Sequence, residues 1–293
     1  MMTRAMNLES KTCVTLEDYL RASLDRDAQG IYLAADRKDV SYPEGGNEQC
    51  AAVEDTSFWF QHRNNCLCEV VEQHDITGTF LDVGGGNGYV SLALQNHGLD
   101  CWLVEPSIEG CRLAASRGLQ HIACSTLEAM SLPENSVDAI GMFDVIEHIE
   151  DPQPMLEESF RVLRDQGALL VTVPAIPWLW SNADVYAGHF RRYTSRSLAT
   201  ALKNAGFSIE RVGYFFSSLT LPVLLARTLP SLVRSARKID DSRVQRDHSS
   251  NRGLTGKLIQ SSLLREQSRM ARGKLARIGT SCFALAQKDE SLI

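Results

Sequence analysis

The chain has 293 residues, 44% of them hydrophobic and 23% charged, which suits a soluble globular protein with a full core and excludes a disordered or fibrous one. Its net charge of −6 hides an asymmetry, because residues 231–277 carry 12 Lys/Arg against 4 Asp/Glu while the remainder is acidic. No window holds the 18 uninterrupted apolar residues of a membrane span, and residues 1–20 lack the apolar core of a signal peptide.

Residues 1–50 read as polar and irregular, with a turn cluster at Tyr42-Pro43-Glu44-Gly45-Gly46-Asn47. A helix is predicted over 54–73, with Phe58, Phe60, Cys66, Leu67, Val70 and Val71 as its buried candidates. Eight cysteines are scattered and only Cys66 and Cys68 stand close. That pattern predicts reduced thiols in the cytoplasm, without a disulfide framework or a metal centre. From residue 79 onward, strand patterns at 80–83, 100–104, 120–123, 138–143 and 168–173 alternate with helical ones at 89–97, 108–117 and 155–163. Such alternation predicts an α/β fold with a doubly wound parallel sheet. Beyond Pro174 an aromatic loop runs to Tyr193, and Thr194 caps a helix that carries Leu198, Ala201, Leu202 and Ala205 inward and stops at Gly206. Strands are predicted over 207–214 and 281–286. The insertion between them is apolar over Leu219–Val233, broken by Pro222, Arg227 and Pro230, and then basic and amphipathic.

The stretch Phe80-Leu81-Asp82-Val83-Gly84-Gly85-Gly86-Asn87-Gly88 marks a ligand site. Glycine alone lets a backbone turn this tightly off a strand and still leave room for a ligand against bare peptide. A dinucleotide loop wants a third glycine where this chain has Tyr89, so that fingerprint fails. The pattern fits instead the Asp-x-Gly-x-Gly-x-Gly loop associated with S-adenosylmethionine. There Asp82 closes the strand and reaches the methionine ammonium, while Gly84, Gly85, Gly86 and Gly88 face the methionine and ribose. Glu105 ends the next strand, 17 residues after Gly88, where an acid takes both ribose hydroxyls.

A third segment, Met142-Phe143-Asp144-Val145-Ile146-Glu147-His148-Ile149-Glu150-Asp151-Pro152, makes the chain resemble the class I S-adenosylmethionine-dependent methyltransferases, and most of all their bacterial small-molecule group. The likeness continues through Arg161-Val162-Leu163-Arg164-Asp165-Gln166-Gly167 to Trp178-Leu179-Trp180-Ser181, Asp184 and Gly188-His189-Phe190-Arg191-Arg192-Tyr193, over roughly residues 54–290. It implies a Rossmann-like sheet of seven strands whose last strand is antiparallel. Residues 1–53 then form an N-terminal extension, 54–217 with 278–290 the cofactor-binding domain, and 218–277 a helical insertion acting as a lid, a dimer contact or a membrane contact.

The resemblance also distributes roles. Pro106, Thr126, Leu127, Phe143, Asp144 and Arg63 join the cofactor set, with Arg63 on the methionine carboxylate and Thr126 and Leu127 near the adenine, by side chain or backbone. His189 is the candidate base or else makes a loop-stabilising hydrogen bond, and His148 faces the substrate or holds a structural hydrogen bond. Trp59, Trp178, Trp180, Arg191, Arg192 and Tyr193 are substrate candidates, the arginines suiting an anionic acceptor or else an ion pair with Asp184. The expected activity is methyl transfer to a small-molecule or glycan-type acceptor, most of all at oxygen. The rivals are a non-catalytic cofactor-sensing protein and a nicotinamide oxidoreductase. Nucleic acid is not expected as a substrate, because no Asn/Asp-Pro-Pro-aromatic motif follows strand four.

Overall fold

Short apolar runs separated by amphipathic helices assemble into a single nine-stranded sheet in a computed structural model that describes residues 15–35, 50–51, 53–233 and 254–289. The turn expected over Tyr42–Asn47 and the basic residues 234–253 lie outside the described residues. The strands are β1 (Asp25–Arg26), β2 (Tyr32–Leu33), β3 (Thr79–Val83), β4 (Asp100–Val104), β5 (Ile122–Cys124), β6 (Val137–Phe143), β7 (Leu163–Pro174), β8 (Ser208–Phe215) and β9 (Ser281–Gln287). Their order across the sheet is β1-β2-β5-β4-β3-β6-β7-β9-β8. β2 to β7 pair in parallel, and β9 runs antiparallel between β7 and β8.

The α/β fold is the expected one, with its antiparallel last strand, but the strand count is nine rather than seven. The two extra strands come from the N-terminal stretch expected to be irregular. Tyr32 and Leu33 pair with Ala123 and Cys124 at the β5 edge, and the Tyr32 ring lies 5.7 Å from Trp102. Strands of two residues are too short to print an alternating pattern. The helix Leu16–Ser23 beside them has Thr15 and Asp18 as a reciprocal capping box.

Side chains of the central strands alternate between two apolar layers. Leu81, Val83, Trp102, Val104, Ile140, Met142, Leu169 and Val171 fill one, and Phe80, Cys101, Ala139, Phe143 and Leu170 fill the other. A sheet buried on both faces in this way presents its strand ends as the natural ligand site. The chain runs outward from β3 to β5 and then restarts on the other side with β6, so the switch point lies between β3 and β6.

The predicted helix over 54–73 begins four residues later, at Phe58, with the Ser57 hydroxyl accepting from the Trp59 amide at 3.2 Å. It buries Cys66, Leu67, Val70 and Val71 as expected, but Phe58 and Phe60 are only half-buried. The insertion's helix Leu254–Met270 packs on it, contributing Leu263 and Met270 to the same layer. No helix among the described residues is long and apolar enough to cross a membrane.

One buried carboxylate ties the insertion down. Glu266 accepts from the Phe216 amide at 2.6 Å, the Ser217 amide at 3.0 Å and the Ser217 hydroxyl at 2.7 Å, and faces His62 Nε2 at 3.1 Å. Burial pushes its pKa up, but these hydrogen bonds outweigh that and hold it below the usual carboxylate value. Glu266→Ala leaves those donors buried without an acceptor, and is expected to lower stability by about 3 kcal/mol in urea unfolding; an unchanged midpoint would contradict this anchoring role.

Candidate active site

The turn off β3 is set by sterics. Gly84, Gly86 and Gly88 have φ of +71°, +55° and +69°, a region that side-chain-bearing residues avoid. Three glycines of the loop are also packed tightly, since a Cβ would lie 2.9 Å from Val145 at Gly84, 2.5 Å from Asp82 at Gly85 and 2.8 Å from Ala114 at Gly88. Gly86 differs, because a Cβ there would meet nothing within 4 Å. The loop is therefore clamped on three sides and open at one point, in front of Gly86. Helix Tyr89–Asn96 starts directly after Gly88, so its first amides face the same opening.

Two carboxylates frame that opening. Asp82 is fully buried, with one oxygen accepting from the Ser91 hydroxyl at 2.6 Å and Oδ1 lacking a partner. Burial pushes its pKa up to about 6 against the effect of Ser91 and Arg63. Glu105 follows β4 and accepts from the Gly86 amide at 2.9 Å and the Ser107 amide at 2.8 Å. Burial raises it also to about 6, in spite of those amides. Pairing of Asp82 with Leu103 and Gly141 sets the carboxyl ends of β3, β4 and β6 side by side.

At the end of β6, Asp144 takes a left-handed φ of +60° and accepts from Arg63 at 2.6 Å. Arg63 is buried, lies 5.0 Å from the Trp59 ring and 5.3 Å from Phe60, and has no partner on Nε. Two groups expected to act separately are thus one ion pair beside the opening. Trp59 stacks on Phe216 at 5.2 Å, which gives this substrate candidate a packing partner in the chain itself. Around the loop, Asn87 and Arg117 reach Glu54 at 3.4 and 2.7 Å, a latch that no sequence pattern marks. Pro106 and Thr126 are half-buried at the ends of β4 and β5, while the Leu127 side chain is fully buried in the core. That corrects the side-chain version of the Leu127 adenine contact and leaves its backbone. Phe143 is buried against Gly141, its ring directed into the layer beneath the sheet.

Beyond Asp144 the short turn Ile146–His148 carries Glu147 and His148, and the loop after β7 brings His189 against them. The imidazoles of His148 and His189 are 4.7 Å apart at 83°, and the Phe190 amide donates to the Glu147 carbonyl at 2.8 Å. Burial, with His189 alongside, lowers the His148 pKa to about 4. Glu147 is fully buried, and burial together with Asp144 raises it well above the carboxylate range.

Asp184 is the hub of the loop. It accepts from Arg192 at 2.7 and 3.0 Å, from the Ser181 amide at 2.8 Å, and faces His189 Nδ1 at 3.0 Å. Burial opposes its charge, but His189 and Arg192 bring its pKa down to about 2. This corrects the substrate reading of Arg192 in favour of its other one, the ion pair with Asp184, to which a bond to the Ala175 carbonyl is added. Tyr193 is likewise corrected, being 4% exposed with its hydroxyl against the Ile146 carbonyl, while Trp178 is 55% exposed on the surface. Arg191 donates to the Glu150 carbonyl, and Trp180 is half-buried at the end of the Pro177–Leu179 turn.

Residues 56–212 match the family model described as a methyltransferase domain. A Mycolicibacterium smegmatis protein described as a "probable S-adenosylmethionine-dependent methyltransferase" is 29% identical over 205 residues, covering 66% of this chain and 76% of the relative. The ubiquinone biosynthesis O-methyltransferase of Parvibaculum lavamentivorans is 26% identical over 160 residues, 48% of this chain and 63% of its own. Among solved structures, Haemonchus contortus phosphoethanolamine N-methyltransferase 2 in complex with S-adenosyl-L-methionine superposes with a TM-score of 0.53 at 16% identity, covering 84% of this chain and 57% of that one. The last likeness is one of fold.

The glycine geometry makes a contrast that can be measured. Gly85→Ala forces a methyl into Asp82 and Leu103 and is expected to cost about 2 kcal/mol in urea unfolding. Gly86→Ala adds only the strain of its backbone, about 1 kcal/mol, while placing its methyl in the opening. Equal stability losses would contradict this description of the loop.

Proposed function

This chain belongs to the methyltransferase-domain family as a class I, S-adenosylmethionine-dependent enzyme, and on that premise we propose that it methylates an oxygen of a small-molecule or glycan-type acceptor. The observation that carries the reading is the His189–Asp184 pair beside the Arg63–Asp144 pair, at the carboxyl ends of β7 and β6. The residues fit the cofactor, because Asp82 Oδ1 and Arg63 Nε lack partners and the space in front of Gly86 is open. When bound, S-adenosylmethionine supplies a sulfonium methyl group; sulfur keeps the C–S bonding pair as a lone pair of the acceptor forms the new bond.

The chain's own groups then divide the work. Arg63 takes the amino-acid carboxylate, Asp82 and Asp144 take the ammonium, and Glu105 takes the ribose hydroxyls. Thr126 and the Leu127 backbone, with Pro106, bound the adenine, and Phe143 packs in the layer beneath the site. Asp184 accepts from His189 Nδ1–H and so keeps the lone pair of the neutral ring on Nε2, where it assists loss of the acceptor's proton. Arg191, held by a carbonyl and, among the described residues, by no carboxylate, supplies positive charge for an acidic acceptor. The insertion serves as a cover, a role supported by Glu266 joining it to the helix that carries Arg63. The free thiols of the described residues favour the cytoplasm as the place of action.

A panel of hydroxylated and aminated acceptors incubated with methyl-labelled S-adenosylmethionine tests the assignment. Labelled ethers that disappear with His189→Ala, at unchanged cofactor affinity, are expected; label on nitrogen alone would contradict it. Cofactor affinity also has a signed pH dependence. Asp82 and Glu105 are charged only above about pH 6, so calorimetric affinity is full at pH 8 and falls on acidification through 6. At pH 5 each carboxyl accounts for about a tenfold loss, and a flat profile would remove them from the site.

A further inference from the structure

Three donor groups of different chemistry converge where β6 and β7 end. Glu147 has a fully buried side chain that, among the described residues, receives no hydrogen bond from another residue. A carboxyl in that position carries charge only when a cation answers it. His148 and His189 each bring a ring nitrogen to it, so that one donor atom from each of the three residues lies within 4.8 Å of the others. The two rings meet edge to face at 83° rather than stacked.

Behind His189 stands the support that metal-ligating imidazoles usually have. Asp184 Oδ1, 3.0 Å from Nδ1, fixes the ring and leaves Nε2 as the donor, and Asp184 is itself held by Arg192 and Ser181. The Phe190 amide, bonded to the Glu147 carbonyl at 2.8 Å, locks the two segments together next to the donors. The sequence pointed away from a metal because it lacks paired cysteine knuckles, but this donor set uses no sulfur.

We propose that Glu147, His148 and His189 bind one divalent cation of the borderline class, Zn2+ foremost, with a coordination position left for the acceptor's oxygen. Two imidazoles and one carboxylate with an open position form a donor set that suits zinc in catalytic sites. Bonds of about 2.1 Å set tetrahedral donors roughly 3.4 Å apart. With His189 held by Asp184, small torsional shifts of His148 and Glu147 toward it close the remaining gap on binding. This deepens the proposed methyl transfer and rests on it for the acceptor, but the route of the proton changes. His189 holds the cation, the cation acidifies the bound hydroxyl, and the proton leaves to water. The oxygen's lone pair then forms the C–O bond while sulfur keeps the pair of the broken C–S bond.

The full chain, stripped with a chelator, is titrated with Co2+ followed by its visible d–d absorption, and then with Zn2+ in competition. One site per chain is expected, with affinity at least tenfold weaker in both Glu147→Gln and His189→Ala. Circular dichroism and S-adenosylmethionine affinity report that these variants fold. No stoichiometric site in the wild type, or equal affinity in both folded variants, overturns the proposal. The readout needs no acceptor, so a missing metal site alongside intact methyl transfer overturns the cation alone. A metal site without transfer to any hydroxylated acceptor overturns the cation's assigned role in the reaction.

Discussion

A buried carboxylate with an unsatisfied oxygen is costly, and this molecule places one at its centre. Asp82 lies near the end of the middle strand of the sheet, beneath the glycine loop, and accepts from Ser91. Its second oxygen lacks a donor. The loop turns where it does because Gly85 has no Cβ to strike that carboxylate, and the following helix begins where Gly88 packs on Ala114. Glu105 accepts from Gly86, so the neighbouring strand fixes the same loop from its other side. Strand order, turn geometry and charge therefore meet at one crevice, at the switch point of a doubly wound sheet.

The two flanks of this crevice are built from distant sequence. On one, the helix Phe58–Gln73 brings Arg63 to Asp144 while His62, one residue earlier, meets Glu266 of the insertion. Trp59 stacks at 7° on Phe216, whose amide Glu266 also captures, so a single helical turn joins the ligand-facing ion pair to the insertion. On the other, the loop after β7 is organised around Asp184, which gathers Arg192, Ser181 and His189. In the proposed reaction the first flank addresses the cofactor and the second the acceptor.

Much of the first flank was legible. The glycines, Asp82 and Glu105 lie within one strand-turn-helix and the strand after it, and such local patterns survive in sequence. The strand boundaries of β4 were read without error because five apolar-rich residues sit between clear turn signals. The two-residue strands β1 and β2 were missed since no periodicity fits in so short a run. Residues on the second flank were named but partly given the wrong work. Tyr193 reads as a substrate group, and Arg192 as either a substrate group or a partner of Asp184, because sequence shows type and spacing, while the choice depends on how the loop folds back. Burial of Glu147 is of the same kind: its neighbours His148 and Asp144 drew notice, and only tertiary packing strands the carboxylate between them.

The central claim is that the crevice between β3, β4 and β6 holds the cofactor with Arg63 and Asp144 at its amino-acid end. A crystal structure with S-adenosylhomocysteine, the product of methyl transfer, tests it most directly. The account predicts the carboxylate on Arg63, the ammonium against Asp82 and Asp144, the ribose hydroxyls on Glu105, and the sulfur facing the His148–His189 side. A product bound with its ribose away from Glu105, or with Arg63 and Asp144 remote from it, would contradict the account.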